Sequence, residues 1–295
     1  MGLRQTVEAL EERWGMRAFV HAARVGGGGE VGVRDDAPVV AASVCKVPVL
    51  VEACMQVATG EVDPTRRIAL GADDVRAPGP TGLSVFLDPV ALSFRDLCMS
   101  MITVSDNRAT DVVMAAVGLE RIAARMRALG LVDTVVEVDC AALLGSLADD
   151  LGVPRGADLA IGVGDEEALR GAAVLDPART NRTTPRESTA LLDRIWTERD
   201  LHPVACAEAR RILGLQVWPH RLRAGFPDDG VRVSGKTGTL PMVRNEVGVV
   251  EHVATGEAWA VAVFLRLPTA ASVVPWADRA IGEIAAAAVA ELRDA

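Results

Sequence analysis

The residues best suited to chemistry in this chain are its two lysines, Lys46 and Lys236. The 295-residue chain carries 31 Lys and Arg residues, so every other basic position is an arginine. On a surface the two residue types are nearly interchangeable, but only a lysine can lose its proton when it is desolvated. The two lysines therefore indicate places where ammonium chemistry or a compact ammonium shape is needed. The chain contains no tyrosine, which excludes a phenolic general base.

Each lysine belongs to a short motif, and a third motif lies between them. The motifs, in chain order, are Ser43-Val44-Cys45-Lys46, Ser105-Asp106-Asn107 and Lys236-Thr237-Gly238. Each motif is common alone, but this set uses both lysines and one of only three asparagines. The combination predicts a nucleophilic serine that is activated by a neighbouring lysine.

Ser43 and Lys46 lie at positions i and i+3, on one face of the first turn of a predicted helix. The unpaired N–H groups and the positive end of a helix N-terminus favour a serine alkoxide and an oxyanion. They also lower the proton affinity of a nearby ammonium, which makes Lys46 the candidate base or proton relay. The alternative is a capping serine with a lysine that extends into solvent. Cys45 faces a different direction and is predicted to be a core residue.

The second motif follows an apolar turn between two predicted helices. Ser105 is a candidate for passing a proton between Lys46 and a leaving nitrogen. Asn107 is a candidate for binding a substrate amide through its carbonyl and NH2 groups. Asp106 is expected to brace the turn. The alternative interpretation is a simple capping loop, because Ser, Asp and Asn all cap helices well.

The third motif lies within a predicted strand that begins at Val231. Lys236 and Gly238 are expected to share one face of this strand. A glycine in a strand allows a ligand or a neighbouring helix to approach the backbone closely. Lys236 is expected to attract a substrate carboxylate into a cleft, with the hydroxyl of Thr237 or Thr239 orienting it. The alternative is an exposed lysine on an edge strand.

The elements that position these motifs follow from the hydrophobic periodicity. Strand patterns occur near both chain ends, and the middle of the chain has helical spacing. We expect an α/β (α+β) fold, in which an antiparallel sheet built from both chain ends is flanked by N- and C-terminal helices. An all-α domain is inserted between them. The predicted domains are 1–42 with 228–295, and 43–227, with the active-site cleft between the two.

Composition excludes several classes of protein. A net charge of −9 argues against nucleic-acid binding, and no apolar run approaches a membrane span. The four histidines are scattered and the five cysteines form no CxxC pair, so neither a metal nor a cofactor is expected. The expected partner is a small-molecule substrate, and the oligomeric state is not indicated. Because no secretory signal pattern is visible, we expect a cytoplasmic protein, or an exported one if a leader before Met1 has been removed.

The three motifs together resemble those of class A β-lactamases, S-x-x-K, S-D-N and K-T-G. Their order and the sheet–helices–sheet plan agree over most of the chain. Thr183-Thr184-Pro185 is also similar to the segment that closes the omega loop of that family. The resemblance implies an acyl-enzyme on Ser43 and an oxyanion hole formed by the backbone N–H groups of Ser43 and Thr239. It also implies a β-lactam or another carboxylate-bearing acyl compound as substrate.

One departure concerns the base that removes the acyl group. Class A enzymes carry Glu-x-x-Leu-Asn in the omega loop, and its Glu activates the deacylating water. The nearest match here is Glu166-Glu167-Ala168-Leu169-Arg170, with Arg in place of Asn. Glu166 is the candidate base, with a solvated helix charge as the alternative and with Asp176 and Asn181 as secondary candidates. The candidate carboxylate-binding arginines are Arg244, Arg221 and Arg223.

Three functions remain open at this point. The first is a serine hydrolase that opens β-lactams by acylating Ser43. The second is a cytoplasmic esterase, amidase or acyltransferase that acts on a metabolite with the same Ser-Lys machinery, which the irregular omega loop favours. The third is a β-lactam-binding protein that deacylates slowly, because a sensor needs no deacylating base.

Overall fold

A computed structural model describes residues 1–71, 77–155 and 166–294. Its α-helices are α1 (Leu3–Trp14), α2 (Lys46–Ala58), α3 (Phe94–Thr103), α4 (Asn107–Val117), α5 (Leu119–Ala128), α6 (Cys140–Asp150), α7 (Glu166–Gly171), α8 (Pro185–Thr197), α9 (Pro203–Leu213) and α10 (Pro275–Asp294). Its strands are β1 (Arg17–Arg24), β2 (Glu30–Val33), β3 (Val39–Val40), β4 (Arg67–Leu70), β5 (Val90–Ser93), β6 (Arg182–Thr183), β7 (Val231–Leu240), β8 (Val243–His252) and β9 (Ala258–Arg266).

The main sheet has five antiparallel strands in the order β2-β1-β9-β8-β7. Strands from the two ends of the chain meet where β1 pairs with β9. This arrangement confirms the predicted antiparallel sheet built from both chain ends. β7 lies at the edge, so alternate N–H and C=O groups of this strand point away from the sheet.

The main sheet separates two hydrophobic cores. Val261 and Val263 of β9 face α1 and α10, where they pack with residues such as Leu3 and Ile281. Alternate residues of β8 and β9 face the opposite way and pack with α2, α3, α8 and α9. Because α2 lies inside this second core, its apolar residues are buried almost all round.

Local signals in the sequence mark several helix ends correctly. The Ser93 hydroxyl accepts a hydrogen bond from the Asp96 N–H at 3.3 Å and begins α3. The Thr184 hydroxyl does the same for the Glu187 N–H at 3.0 Å, at the start of α8. Gly60 follows α2 with a φ of +77°, a conformation that glycine adopts without strain.

The predicted division into a 1–42 plus 228–295 domain and a 43–227 domain stays a prediction. All five cysteines carry free thiols, and Cys140 is the one that is not fully buried. Within the three described ranges, no helix has both the length and the apolar character that a bilayer crossing requires.

Candidate active site

Ser43 lies in a short 3-10 turn, Ala42–Cys45, that leads directly into α2. The sequence placed Ser43 in the first α-helical turn, and the structure places it one turn earlier. Within residues 39–56, Ser43 is the only residue that is not buried. Ala42, immediately before it, has a φ of +47°, which is unfavourable for a residue with a Cβ atom. The backbone is therefore held in a sharp turn that brings one serine of a buried segment to the surface.

Lys46 is fully buried and makes three hydrogen bonds, all to the second motif. Its Nζ atom donates to the Ser105 carbonyl oxygen and to Asn107 Oδ1, both at 2.8 Å. The third contact, to Ser105 Oγ, is 3.2 Å long. All three acceptors are neutral, and among the described residues Lys46 forms no ion pair. The first two motifs thus lie in direct contact around the lysine.

The Ser105-Asp106-Asn107 turn is itself held by Asp106, which has no exposed surface. Asp106 Oδ1 accepts from the Ala109 N–H at 3.0 Å, and Oδ2 accepts from the Leu83 N–H and the Ser100 hydroxyl, both at 2.7 Å. Asp106 therefore braces the turn. Ser105 adopts a φ of +60°, so the turn also carries backbone strain.

Asn107 is more constrained than the sequence suggested. Its Oδ1 atom accepts from Lys46, and its Nδ2 atom donates to the Pro78 carbonyl at 2.8 Å. A ligand amide therefore meets an asparagine whose orientation is already set.

The third motif lies on the edge strand beside the Ser43 turn. A Cβ atom on Gly238 would lie 2.9 Å from the Ala41 carbonyl oxygen and 3.3 Å from Ala42 Cβ. The absence of a side chain at Gly238 thus allows β7 to reach the residues just before Ser43. Lys236 is fully buried, and its Nζ atom donates to the Thr237 carbonyl at 2.9 Å. Burial, followed by the charges of Lys46 and Arg221, lowers the pKa of Lys236.

The direction of the edge N–H groups follows from one contact. The Thr237 N–H donates to Gln216 Oε1 at 2.6 Å, so it points away from β8. N–H direction alternates along a strand, so the Thr239 N–H, two residues on, points the same way. Thr239 is exposed, whereas Thr237 is buried, so Thr239 presents the accessible hydroxyl of this motif.

The three candidate arginines have different surroundings. Arg221 is buried and donates to Thr239 Oγ1 at 2.8 Å and to the Gly238 carbonyl at 3.0 Å, while its Nε atom donates to Asp278 at 2.7 Å. Arg244 instead donates to the carbonyl oxygens of Leu240, Val243, Ala271 and Ser272. Arg244 therefore secures the β7–β8 turn, and Arg221 is the arginine at the third motif. Arg223 lines a separate cavity.

Among the described residues, Glu166 contacts Arg170 and Ala270, and no contact joins it to the residues that surround Lys46. It is the first residue of α7, its side chain is 50 % exposed, and it forms an ion pair with Arg170 at 3.6 Å. Its Oε1 atom accepts a long hydrogen bond of 3.4 Å from the Ala270 N–H. The alternative interpretation, a solvated helix charge, describes it better.

The secondary candidates for that base also have structural contacts. Asp176 accepts from the Ala178 N–H at 2.9 Å within its own turn. Asn181 Oδ1 accepts from the N–H groups of Glu137 and Val138, and the Asn181 carbonyl accepts from the Ala41 N–H at 3.0 Å. Asn181 therefore supports the backbone immediately before Ser43 rather than presenting a base.

Two further residues, Asp111 and Cys140, were not singled out from the sequence. They contact each other, and Cys140 lies near the charge of Lys46. Asp111 lies one helical turn after Asn107 and accepts from the N–H groups of Cys140 at 2.7 Å and Ala141 at 3.0 Å. Burial raises the pKa of Asp111 to about 6. Burial also raises the pKa of the Cys140 thiol well above its usual range, although the nearby charge of Lys46 opposes this shift. The i, i+4 spacing from Asn107 was the available signal.

Comparisons with known proteins identify the family of the chain. A family model described as "Beta-lactamase enzyme family" matches residues 2–292. The β-lactamase regulatory protein BlaB of Streptomyces cacaoi is 31% identical over 275 residues, which cover 88% of this chain and 87% of BlaB.

Solved structures show the same fold. The crystal structure of a β-lactamase from Sphaerobacter thermophilus matches with a TM-score of 0.79 and 26% identity, covering 100% of this chain and 98% of that one. The acyl-enzyme complex of a PBP-A mutant with penicillin G matches in fold, with a TM-score of 0.77, 20% identity and coverages of 99% and 96%. With its matched family model and its curated relative, the chain belongs to the β-lactamase enzyme family.

Proposed function

We propose that this protein acylates Ser43 with a β-lactam and then hydrolyses the acyl-enzyme slowly. The observation that carries the proposal is the buried Lys46, bonded to both Ser105 and Asn107 and lying one turn after the only accessible residue of its segment. The family match supports a hydrolase of the β-lactamase type.

The acylation step uses groups whose contacts are described above. Lys46, acting as the base, takes the proton of the Ser43 hydroxyl while Oγ attacks the lactam carbonyl. Ser105 Oγ, 3.2 Å from Lys46 Nζ, gives its proton to the leaving nitrogen and receives one from Lys46. The backbone N–H groups of Ser43 and Thr239 stabilise the oxyanion. The substrate carboxylate binds beside Arg221 and Thr239, with Lys236 adding positive charge.

For the second step, none of the described residues has the contacts expected of the base that the resemblance implied. Glu166 is bonded to Arg170 and Ala270, and no described carboxylate is bonded to Lys46 or Ser105. Asp111, the acid beside α6, has its two oxygens engaged by two backbone N–H groups. Water activation is therefore weak, and the acyl group is expected to stay on Ser43 longer than acylation takes.

These contacts also favour a second candidate, a β-lactam-binding protein whose adduct persists. The curated relative BlaB is named a regulatory protein, which is consistent with such a role. No contact in the described residues favours an esterase or an acyltransferase over these two functions.

The test follows intact mass and colour together, with a penicillin and a chromogenic cephalosporin. An adduct on Ser43 with slow colour release is the expected result. A stable adduct without turnover would favour the binding protein, and fast turnover with no standing adduct would show that an efficient base exists. If neither adduct nor colour appears, the proposal is wrong.

A further inference from the structure

A buried carboxylate lies on the strand that pairs with the third motif, and it is not among the groups proposed to act in acylation. Glu246, on β8, is 1% exposed and pairs in register with Thr237. Lys236 pairs with Val247, so Glu246 and Lys236 lie on opposite faces of the sheet. An acid this deeply buried needs polar partners, because an unpaired buried charge is strongly unfavourable.

A single side chain, Gln216, connects Glu246 to the edge of β7. Gln216 Nε2 donates to Glu246 Oε1 at 2.7 Å, and Gln216 Oε1 accepts from the Thr237 N–H at 2.6 Å. The other carboxylate oxygen, Oε2, accepts from the Leu222 N–H at 2.6 Å. Glu246 thus sets the orientation of an amide that in turn holds the backbone of the anion-binding strand.

The charges around Glu246 come from several elements. Lys236 on β7 and Arg221 before Leu222 both favour the carboxylate, and β9 places only Val263 opposite it. Burial is the larger effect and raises the pKa of Glu246 to about 7. The carboxyl group therefore changes charge near neutral pH.

A cavity of about 350 Å³ reaches both Glu246 and Gln216 from outside the sheet. Its other charged lining residues are Arg223, Asp229 and Arg232. The cavity gives a buried carboxyl group a path for exchanging a proton with solvent.

We propose that Glu246 is a positioning residue that couples anion binding to proton uptake at the third motif. A carboxylate that binds beside Arg221 and Thr239 offsets the positive charge that favours ionised Glu246, and it also repels Glu246 directly. Glu246 then takes one proton from solvent through the cavity, and no covalent bond is made or broken. This inference rests on the proposed function, because the same residues receive the β-lactam carboxylate.

The sign of the pH dependence follows from this linkage. At low pH Glu246 is already neutral, so an anionic ligand meets the full positive charge of Lys236 and Arg221. As pH rises through the pKa of Glu246, binding must draw a proton from solution, and the affinity for the anion falls. A pKa change of about one unit on binding corresponds to a fall of about tenfold. A ligand without a carboxylate lacks this dependence.

The experiment compares benzylpenicillin with its methyl ester. Intact mass gives the second-order rate constant for acylation of Ser43 by each compound between about pH 5.5 and about pH 8.5. The ratio of the two constants cancels any pH dependence of the acylation step that both compounds share. We expect the acid-to-ester ratio to fall about tenfold in the unaltered protein and to stay flat in Glu246→Gln. The matched control Glu251→Gln, at the end of the same strand, should keep the fall.

Each outcome decides the inference. A flat ratio in the unaltered protein overturns it, and so does a fall that persists in Glu246→Gln. If Glu246→Gln does not fold, Glu246→Asp keeps a titrating carboxyl group and should shift the midpoint of the fall; an unmoved midpoint overturns the inference. Acylation by both compounds with a flat ratio contradicts only this inference. Acylation by neither contradicts the proposed function as well.

Discussion

Lys46 and Glu166 are both predicted proton carriers, yet the structure surrounds them very differently. Lys46 is fully buried and donates three hydrogen bonds to the turn that Asp106 braces. Glu166 is half exposed, with one ion pair to a neighbour on its own helix. Buried hydrogen bonds to charged groups contribute about 1.5–3 kcal/mol each, whereas exposed ion pairs contribute about 0–1 kcal/mol.

The difference separates the two proposed half-reactions. Lys46, the proposed base of the acylation step, is positioned by buried contacts, whereas Glu166, the predicted deacylating base, contacts Arg170 and Ala270. We therefore propose that acylation uses prepositioned groups and that deacylation depends on water that reaches Ser43 without an assigned base. Four sets of substitutions test this contrast.

The largest effect is expected from Ser43→Ala. Removing the nucleophile should reduce acylation by at least about 10³-fold, because no other hydroxyl lies on the same turn. Intact mass after incubation with penicillin measures the adduct. Ser146→Ala, a hydroxyl on α6 bonded to the Leu143 carbonyl, is the matched control and should be acylated normally. An adduct of normal yield on Ser43→Ala would remove Ser43 from its role.

The second largest effect is expected at Lys46, and Lys236, the other buried lysine, is the comparison. Lys46→Arg should lower the acylation rate by about 10²–10⁴-fold, because a guanidinium cannot give up a proton and accept that of Ser43. Lys236→Arg keeps the positive charge that is its proposed contribution, so its acylation rate should fall less. Stopped-flow acylation kinetics measure both, with circular dichroism to verify folding. Equal losses in the two variants would mean that Lys46 supplies only charge.

A smaller effect is expected at the arginines. Arg221→Gln should lower acylation by benzylpenicillin about tenfold while changing acylation by its methyl ester little, because only the acid needs a charged partner. Arg244→Gln should leave that ratio unchanged and lower the unfolding temperature, since its four carbonyl contacts are structural. The opposite pattern would assign the carboxylate to Arg244.

The smallest effect is expected from Glu166→Gln. The side chain of Glu166 contacts Arg170 and Ala270. The substitution should therefore change the rate of deacylation less than about twofold, as expected when an exposed charge is removed. Release of the adduct is followed by mass after excess penicillin is removed. Glu167→Gln, the next residue of the same helix, serves as the control. A tenfold slower release in Glu166→Gln alone would restore Glu166 as the base.

Sequence analysis was most successful where the signal is local. The period-two pattern around Lys236 predicted the strand that carries the third motif. Backbone geometry repeats regularly within a helix or strand, so such a pattern holds wherever the element lies. Asp106 was predicted only to brace its turn, and two of the contacts by which it does so, with Leu83 and Ser100, were not predicted.

The prediction with the weakest support was that of Glu166, because it depended on a partial match to a motif. The segment from Glu166 matched a family pattern in part, but residues of a long connection are placed by what they contact across the molecule. Asp111, by contrast, lay one turn from Asn107 and received no role, since its partner is the distant start of α6.

The sequence by itself determined the candidate nucleophile, the lysine beside it, the order of the three motifs and the antiparallel sheet built from both chain ends. These depend on residue type and on short-range periodicity. Only the tertiary structure decided that Arg221 rather than Arg244 reaches Thr239, that Glu166 contacts Arg170 and Ala270, and that Glu246 pairs in register with Thr237. Those relations depend on strand register and turn length, which bring together residues far apart in the chain.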